Sequence, residues 1–182
     1  MAGLLALEAS AAPVPAVVIQ YADAYTQSQP AQAQLPAGQM RDSYAQAFFR
    51  GYTHPSGGVF NQSALIQDAY TRGQAYWRDH PDERAKIFSE YGYLPVEHEG
   101  VWSSGFEISV FKPSGAEGEQ WWMSPFGDGP WSDAGLDRRA GNGTTRIRIV
   151  GYLSPQGHYG HLGAFSHEVL VTSARAADAG SR

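Results

Sequence analysis

TTRIRIVGYLSPQGHYGHLGAFSHEVLVT, residues 144–172, reads as two strands and the connection between them. From Thr144 to Tyr152, Arg146 and Arg148 alternate with Ile147 and Ile149, the period of a strand with one face buried. Ser166–Thr172 follows with Val169, Leu170 and Val171. Between them, Gly151, Gly157, Gly160, Gly163 and Pro155 punctuate Gly151–Phe165. Glycines cost backbone entropy on ordering, so such a run needs a reason. Either they supply the positive φ of a tight connection, or they present His158, Tyr159 and His161 to a ligand or partner.

Upstream the same texture persists. Phe106, Ile108 and Val110 alternate with Glu107 and Ser109, which predicts a strand with the apolar residues facing the core. Glu119–Met123 (EQWWM) reads as another strand, and adjacent Trp121 and Trp122 must then point to opposite faces. One fills the core; the other needs cover from the helical half, a partner or a ligand, and helices over Tyr44–Trp77 are the expected cover. Ser124–Gly143, which contains Trp131, reads as irregular, and Glu97-His98-Glu99 as a solvated turn before a strand. Short strands with glycine-rich turns favour an antiparallel sheet or small barrel.

The first half has helical spacing instead. Val17, Val18, Tyr21 and Tyr25 mark a helix over Ala16–Thr26, started by Pro15, and Gln27–Gly38 reads as a linker. Tyr44, Phe48 and Tyr52 stand four apart, with Ala45 and Phe49 on the same side. A helix capped by Asn61 or Ser63 carries Leu65, Ile66, Ala69, Tyr70, Gly73, Tyr76 and Trp77. A third segment runs from Pro81 to Tyr91 and stops at Gly92. The pattern Ala–aromatic–x–Arg–Gly occurs twice, at Ala47–Gly51 and Ala69–Gly73, and predicts a helical hairpin packed through its glycines. The expected fold is α+β: an N-terminal helical hairpin or three-helix unit on a C-terminal small antiparallel sheet or OB-like β-barrel. Its parts are a flexible arm or export-signal remnant with a short helix (1–38), a helical unit (39–93), a sheet or barrel (94–175) and a disordered tail (176–182).

Composition narrows function mainly by exclusion. A net charge of −5 over 182 residues argues against a general nucleic-acid binder, which needs a basic face. With no cysteine, disulfides, thiolate metal sites and cysteine nucleophiles are excluded. No apolar run approaches the roughly 18–20 residues of a membrane span. There is no G-x-S-x-G, no Walker loop and no dinucleotide fingerprint, so no cofactor is implied. His158, His161 and His167 match no strong metal motif. Met1–Ala16 (MAGLLALEASAAPVPA) resembles the tail of a secretory signal, although Glu8 interrupts its apolar run and the first basic residue is Arg41. The expectation is the periplasm or cell envelope, the alternative the cytoplasm.

The run Gly151-x-Leu153-Ser154-Pro155-x-Gly157-x-Tyr159-Gly160-His161-Leu162-Gly163, followed by Glu168 and an apolar strand, resembles the ending of uncharacterised small bacterial proteins, many exported or lipid-anchored. Gly105-Phe106-Glu107 and Trp121-Trp122 look similar to their sheet region. The resemblance covers roughly the last 85 residues. It implies an OB-like barrel and brings no activity or catalytic residues; the lipid-acceptor cysteine of lipid-anchored relatives is missing. The helical half also resembles ribosome modulation factors, but those are strongly basic and this chain is acidic.

These readings favour a non-catalytic binding or accessory protein, of the cell envelope or of the immunity/inhibitor type, with another protein as partner. Its contact residues would be His158, Tyr159 and His161, with Trp121 or Trp122, Arg146 and Arg148 beside them. One alternative is a hydrolase using His158, His161 and Glu168, with or without a divalent metal. Another is a self-assembling subunit that exchanges residues 1–38.

Overall fold

The computed structural model describes residues 14–29, 36–54, 58, 62–126 and 143–177. Among the described residues four helices precede five strands, so the chain is α+β with its helices N-terminal and its barrel C-terminal. The helices are α1 (Ala16–Ser28), α2 (Ala37–Thr53), α3 (Ala64–Asp79) and α4 (Arg84–Glu90), the last entered through a 3₁₀ turn at Pro81–Glu83.

Tyrosines and phenylalanines four apart create the helical core. Tyr44, Phe48 and Tyr52 of α2 are fully buried, and α1 lays Val18, Ala22 and Tyr21 over them, with Tyr21 stacked on Phe48 at 6.0 Å. Residues 16–28, assigned above to an arm, therefore pack into this core. Ser63 caps α3 by accepting from the Ile66 amide at 3.4 Å. Helix α4 ends at Gly92 with φ 80°, where the Tyr93 amide bonds the Phe88 carbonyl and the Gly92 amide that of Ser89.

The repeated Ala–aromatic–x–Arg–Gly pattern has a reciprocal explanation. A Cβ on Gly51 would lie 2.0 Å from the carbonyl oxygen of Tyr70, and one on Gly73 would lie 2.0 Å from that of Phe48. Each glycine thus seats the backbone of the aromatic residue in the other copy of the pattern. The two helices cross backbone to backbone, as the sequence reading expected.

The strands are β1 (Leu94–Gly105), β2 (Ile108–Pro113), β3 (Trp121–Pro125), β4 (Gly143–Leu153) and β5 (Glu168–Ala176). They close as β1–β2–β3–β5–β4 and back to β1, a small barrel of OB-like order. β4 pairs antiparallel with β1 from Leu94↔Leu153 to Ser104↔Gly143, while β3 and β5 run parallel from Trp122↔Glu168 to Pro125↔Val171. The barrel core holds Trp102, Phe111, Trp121, Met123, Ile147, Ile149, Val169 and Val171. Leu170, on the opposite side of β5, joins Phe126 in the helical core, and Tyr152 stacks on Phe88 at 4.0 Å and 13°.

Three expectations are corrected. Glu97-His98-Glu99 lies inside β1, paired along β4, rather than in a turn. Strand β2 has the expected period but the opposite phase. Ser109 and Phe111 are buried, while Ile108 and Val110 face outward and Phe106 sits in the β1–β2 turn. The buried Ser109 hydroxyl donates to the Met123 carbonyl and accepts from Trp102 Nε1, which removes the cost of burying it. Ser124 and Pro125, read as irregular, belong to β3; Trp131 and residues 127–142 lie outside the described residues.

The glycine crossing yields a contrast between variants. Gly73→Ala is expected to lower the unfolding free energy by about 1–3 kcal/mol, because the helices must move apart. Gly38→Ala, with open space around it, should leave stability unchanged or slightly higher. Urea titrations of both variants check this, and equal midpoints would refute the backbone crossing.

Candidate functional site

The connection between β4 and β5, residues 154–167, folds back as a tongue rather than looping freely. At its base the Ser154 amide bonds the Glu168 carbonyl and the Ser154 hydroxyl accepts from the Glu168 amide, both at 2.9 Å. The two limbs are then laced together: the Gly157 amide to the Ser166 carbonyl at 2.8 Å, and Tyr159 with Phe165 in both directions. The Tyr159 hydroxyl donates to the Pro155 carbonyl at 3.0 Å. His167 lies just before β5, with Nδ1 3.0 Å from the Ser154 carbonyl.

Trp122 explains where the tongue lies. Trp121 points into the barrel and Trp122 points out, as two adjacent strand residues should. The outward indole is covered by the tongue and not by the helices: Gly160 sits on it so closely that a Cβ would be 2.5 Å from Cδ2. Phe165 packs beside it at 5.6 Å. Gly160 has φ 71°, so both the space and the backbone there favour glycine. The tongue thus crosses the outer side of β3 toward the β1–β2 turn, where His161 Nε2 meets Glu107 Oε2 at 3.5 Å.

Two strained residues meet at that junction. Glu107 (φ 55°) and Leu162 (φ 56°) are the non-glycine residues with positive φ among those described. Neither is Asn or Asp, the types that tolerate this region. Beside them, Phe106 is 85% exposed, Leu162 90% and Ile108 50%. The exposed ion pair contributes little to stability, so among the described residues nothing accounts for three large apolar side chains in water.

The expected contact residues separate into groups. His161 and Trp122 belong to this tip and its bed. His158 and Tyr159 turn toward α2, lining a cleft with Asp42, Gln46 and Phe49. Trp121 is buried, its Nε1 donating to Glu119 at 3.0 Å. Arg146 and Arg148 stand on the β1–β4 side of the barrel, away from the tongue's bed on β3. Arg148 there lies 3.3 Å from Glu97 and 3.6 Å from Glu99. Among the described residues no three His, Asp or Glu side chains converge as a metal would require. Phe106, Ile108 and Leu162 were not singled out as contacts from sequence. Gly105-Phe106-Glu107 after Ser103-Ser104 was the available signal, since it also reads as a turn.

Glu168 anchors the tongue to the helical half. Its carboxylate accepts from the Tyr93 hydroxyl at 2.7 Å. Burial raises its pKa above the ordinary carboxyl value, against a smaller lowering by the Tyr93 hydrogen bond. The Tyr93 hydroxyl is itself raised, by burial and by the neighbouring Glu168 charge.

The chain matches no protein-family model, no curated protein and no solved structure.

A raised carboxyl favours the folded state while protonated, so its contribution to stability is present at acid pH and lost as pH rises through the folded-state value. Glu168→Gln keeps an acceptor for Tyr93 and removes the charge. Thermal melts should show this variant above wild type at pH 8, with the gap closing toward pH 4. A gap that does not vary with pH would contradict the burial argument.

Proposed function

We propose that this is a non-catalytic binding protein whose contact surface is the joined tip of the β4–β5 tongue and the β1–β2 turn, and whose partner is another protein offering an apolar pocket. The observation that carries this reading is Leu162. It holds a conformation that costs an L-residue roughly 1–2 kcal/mol, while its side chain contacts almost nothing in the fold. A residue that is strained and unburied gains nothing for stability where it stands. Phe106 and Ile108 stand on either side of Glu107, which pairs with His161 next to Leu162, and large exposed side chains of this kind anchor protein interfaces. In small barrels of this strand order, the outer side of the second and third strands and the loops beside it recurrently bind ligands, an analogy of architecture alone. An envelope location belongs to the same proposal and rests only on the residues 4–12 pattern; fractionation of cells expressing the full gene tests it.

The variant Leu162→Gly relieves the backbone and removes the anchor. It should melt at or above the wild-type temperature, because the lost side chain was exposed. Combined with Phe106→Ser, it should lose at least about tenfold in affinity for a partner captured from the source cells by wild type and re-bound pure at fixed stoichiometry. Titration calorimetry measures this; equal affinity in the double variant would remove the tip as the contact surface. Light scattering over a concentration series separates a second copy of the chain from a different protein.

A further inference from the structure

The cleft that His158 and Tyr159 share with α2 is a site distinct from the exposed tip. It encloses about 520 Å³, within the roughly 300–1,000 Å³ of small-molecule sites. Its floor is aromatic: Phe49 packs on Tyr91 at 4.2 Å and on Tyr93 at 5.1 Å. The phenol groups around it are already committed. Tyr91 donates to the Ala45 carbonyl at 3.0 Å, Tyr93 to Glu168, and Tyr159 to the Pro155 carbonyl. Tyr91 and Tyr93 are themselves buried, so the ring surface open to the cleft is that of the half-buried Phe49 and Tyr159, and none of these phenols has a free donor for an incoming anion.

Charge points the same way. Among the described residues the cleft lining contains no Lys or Arg, and its acidic member is Asp42, one helical turn before Gln46 on α2. Asp42 is exposed and makes no ion pair or hydrogen bond among the described residues. The nearby Arg41 is taken by Asp23, at 2.9 Å. Glu168 lies behind the floor, bonded to Tyr93. An unpaired carboxylate at the mouth over electron-rich rings attracts a cation and repels an anion.

We infer that this cleft binds a small organic cation with a flat apolar body, an aryl-alkyl amine in chemical class, its ammonium at Asp42 and its body on Phe49 and Tyr159. The site lies between the helical half and the tongue, so occupancy bridges the two. The inference does not depend on the protein-binding tip.

Phenethylamine and 3-phenylpropanoate, alike in size and opposite in charge, are the probes. Each is titrated against the full chain, with saturation-transfer signals of the ligand and amide shifts of Gln46 and His158 as readouts. The amine should saturate in the millimolar range or below and the acid should not. Asp42→Asn should weaken the amine at least about fivefold, and Gln46→Trp, which sets an indole at the mouth, should abolish its binding. Both positions are exposed, and melts confirm that the variants fold. Absence of saturation by the amine overturns the inference. So does equal binding of the acid, or wild-type binding by either variant.

Discussion

Strand β5 is buried on both sides over Val169, Leu170 and Val171, and the rest of the molecule is arranged around that stretch. Val169 and Val171 point into the barrel, while Leu170 points out into the helical core. The strand also closes the barrel, parallel to β3 on one edge and antiparallel to β4 on the other. A strand buried on both faces reads as a continuous apolar run, which is what Val169-Leu170-Val171 is. Because it belongs to both cores, the helical unit and the barrel share buried surface that neither would have alone. Phe88 stacked on Tyr152 and Phe126 in the helical core extend the same seam.

Glu168, the first residue of β5, connects this seam to the candidate site. Its backbone is laced to Ser154 at the base of the tongue, and its carboxylate takes the Tyr93 hydroxyl from the end of the helical half. The tongue is therefore held at its root by a buried polar network and along its length by limb-to-limb hydrogen bonds. Only its tip departs from what stability favours. There the chain holds Leu162 and Glu107 at positive φ and leaves Leu162, Phe106 and Ile108 in water. Under the proposed binding role, a well-anchored root lowers the ordering cost of presenting that tip.

Much of the architecture was legible from residue spacing. Tyr44, Phe48 and Tyr52 are four apart and buried, Ser63 caps α3, and Ile147 and Ile149 alternate into the barrel against Arg146 and Arg148. The paired Ala–aromatic–x–Arg–Gly patterns announced a glycine-mediated hairpin, since two glycines at matching places inside helices cost stability unless backbones meet there. The site was legible in part. The glycine–aromatic–histidine run marked the tongue, but its residues divide between the tip, the cleft beside α2 and the bed on Trp122. Arg146 and Arg148 were too far round the barrel to join them.

What the sequence by itself determined is the period and order of the elements: helices then strands, Trp121 and Trp122 on opposite faces, glycines where backbones approach. Those are local properties of the chain, set by side-chain geometry within a few residues. Which face of β2 lies inside, and what covers Trp122, only the tertiary structure decided. Strand β2 buries Ser109 and exposes Ile108 because the barrel supplies the Met123 carbonyl and the Trp102 indole to satisfy the hydroxyl. Trp122 is covered by Gly160 and Phe165 rather than by helices because closing the barrel brings the β4–β5 tongue onto β3. Partners of that kind lie from 7 to 43 residues apart, and periodicity carries no information about which such group will meet a given face.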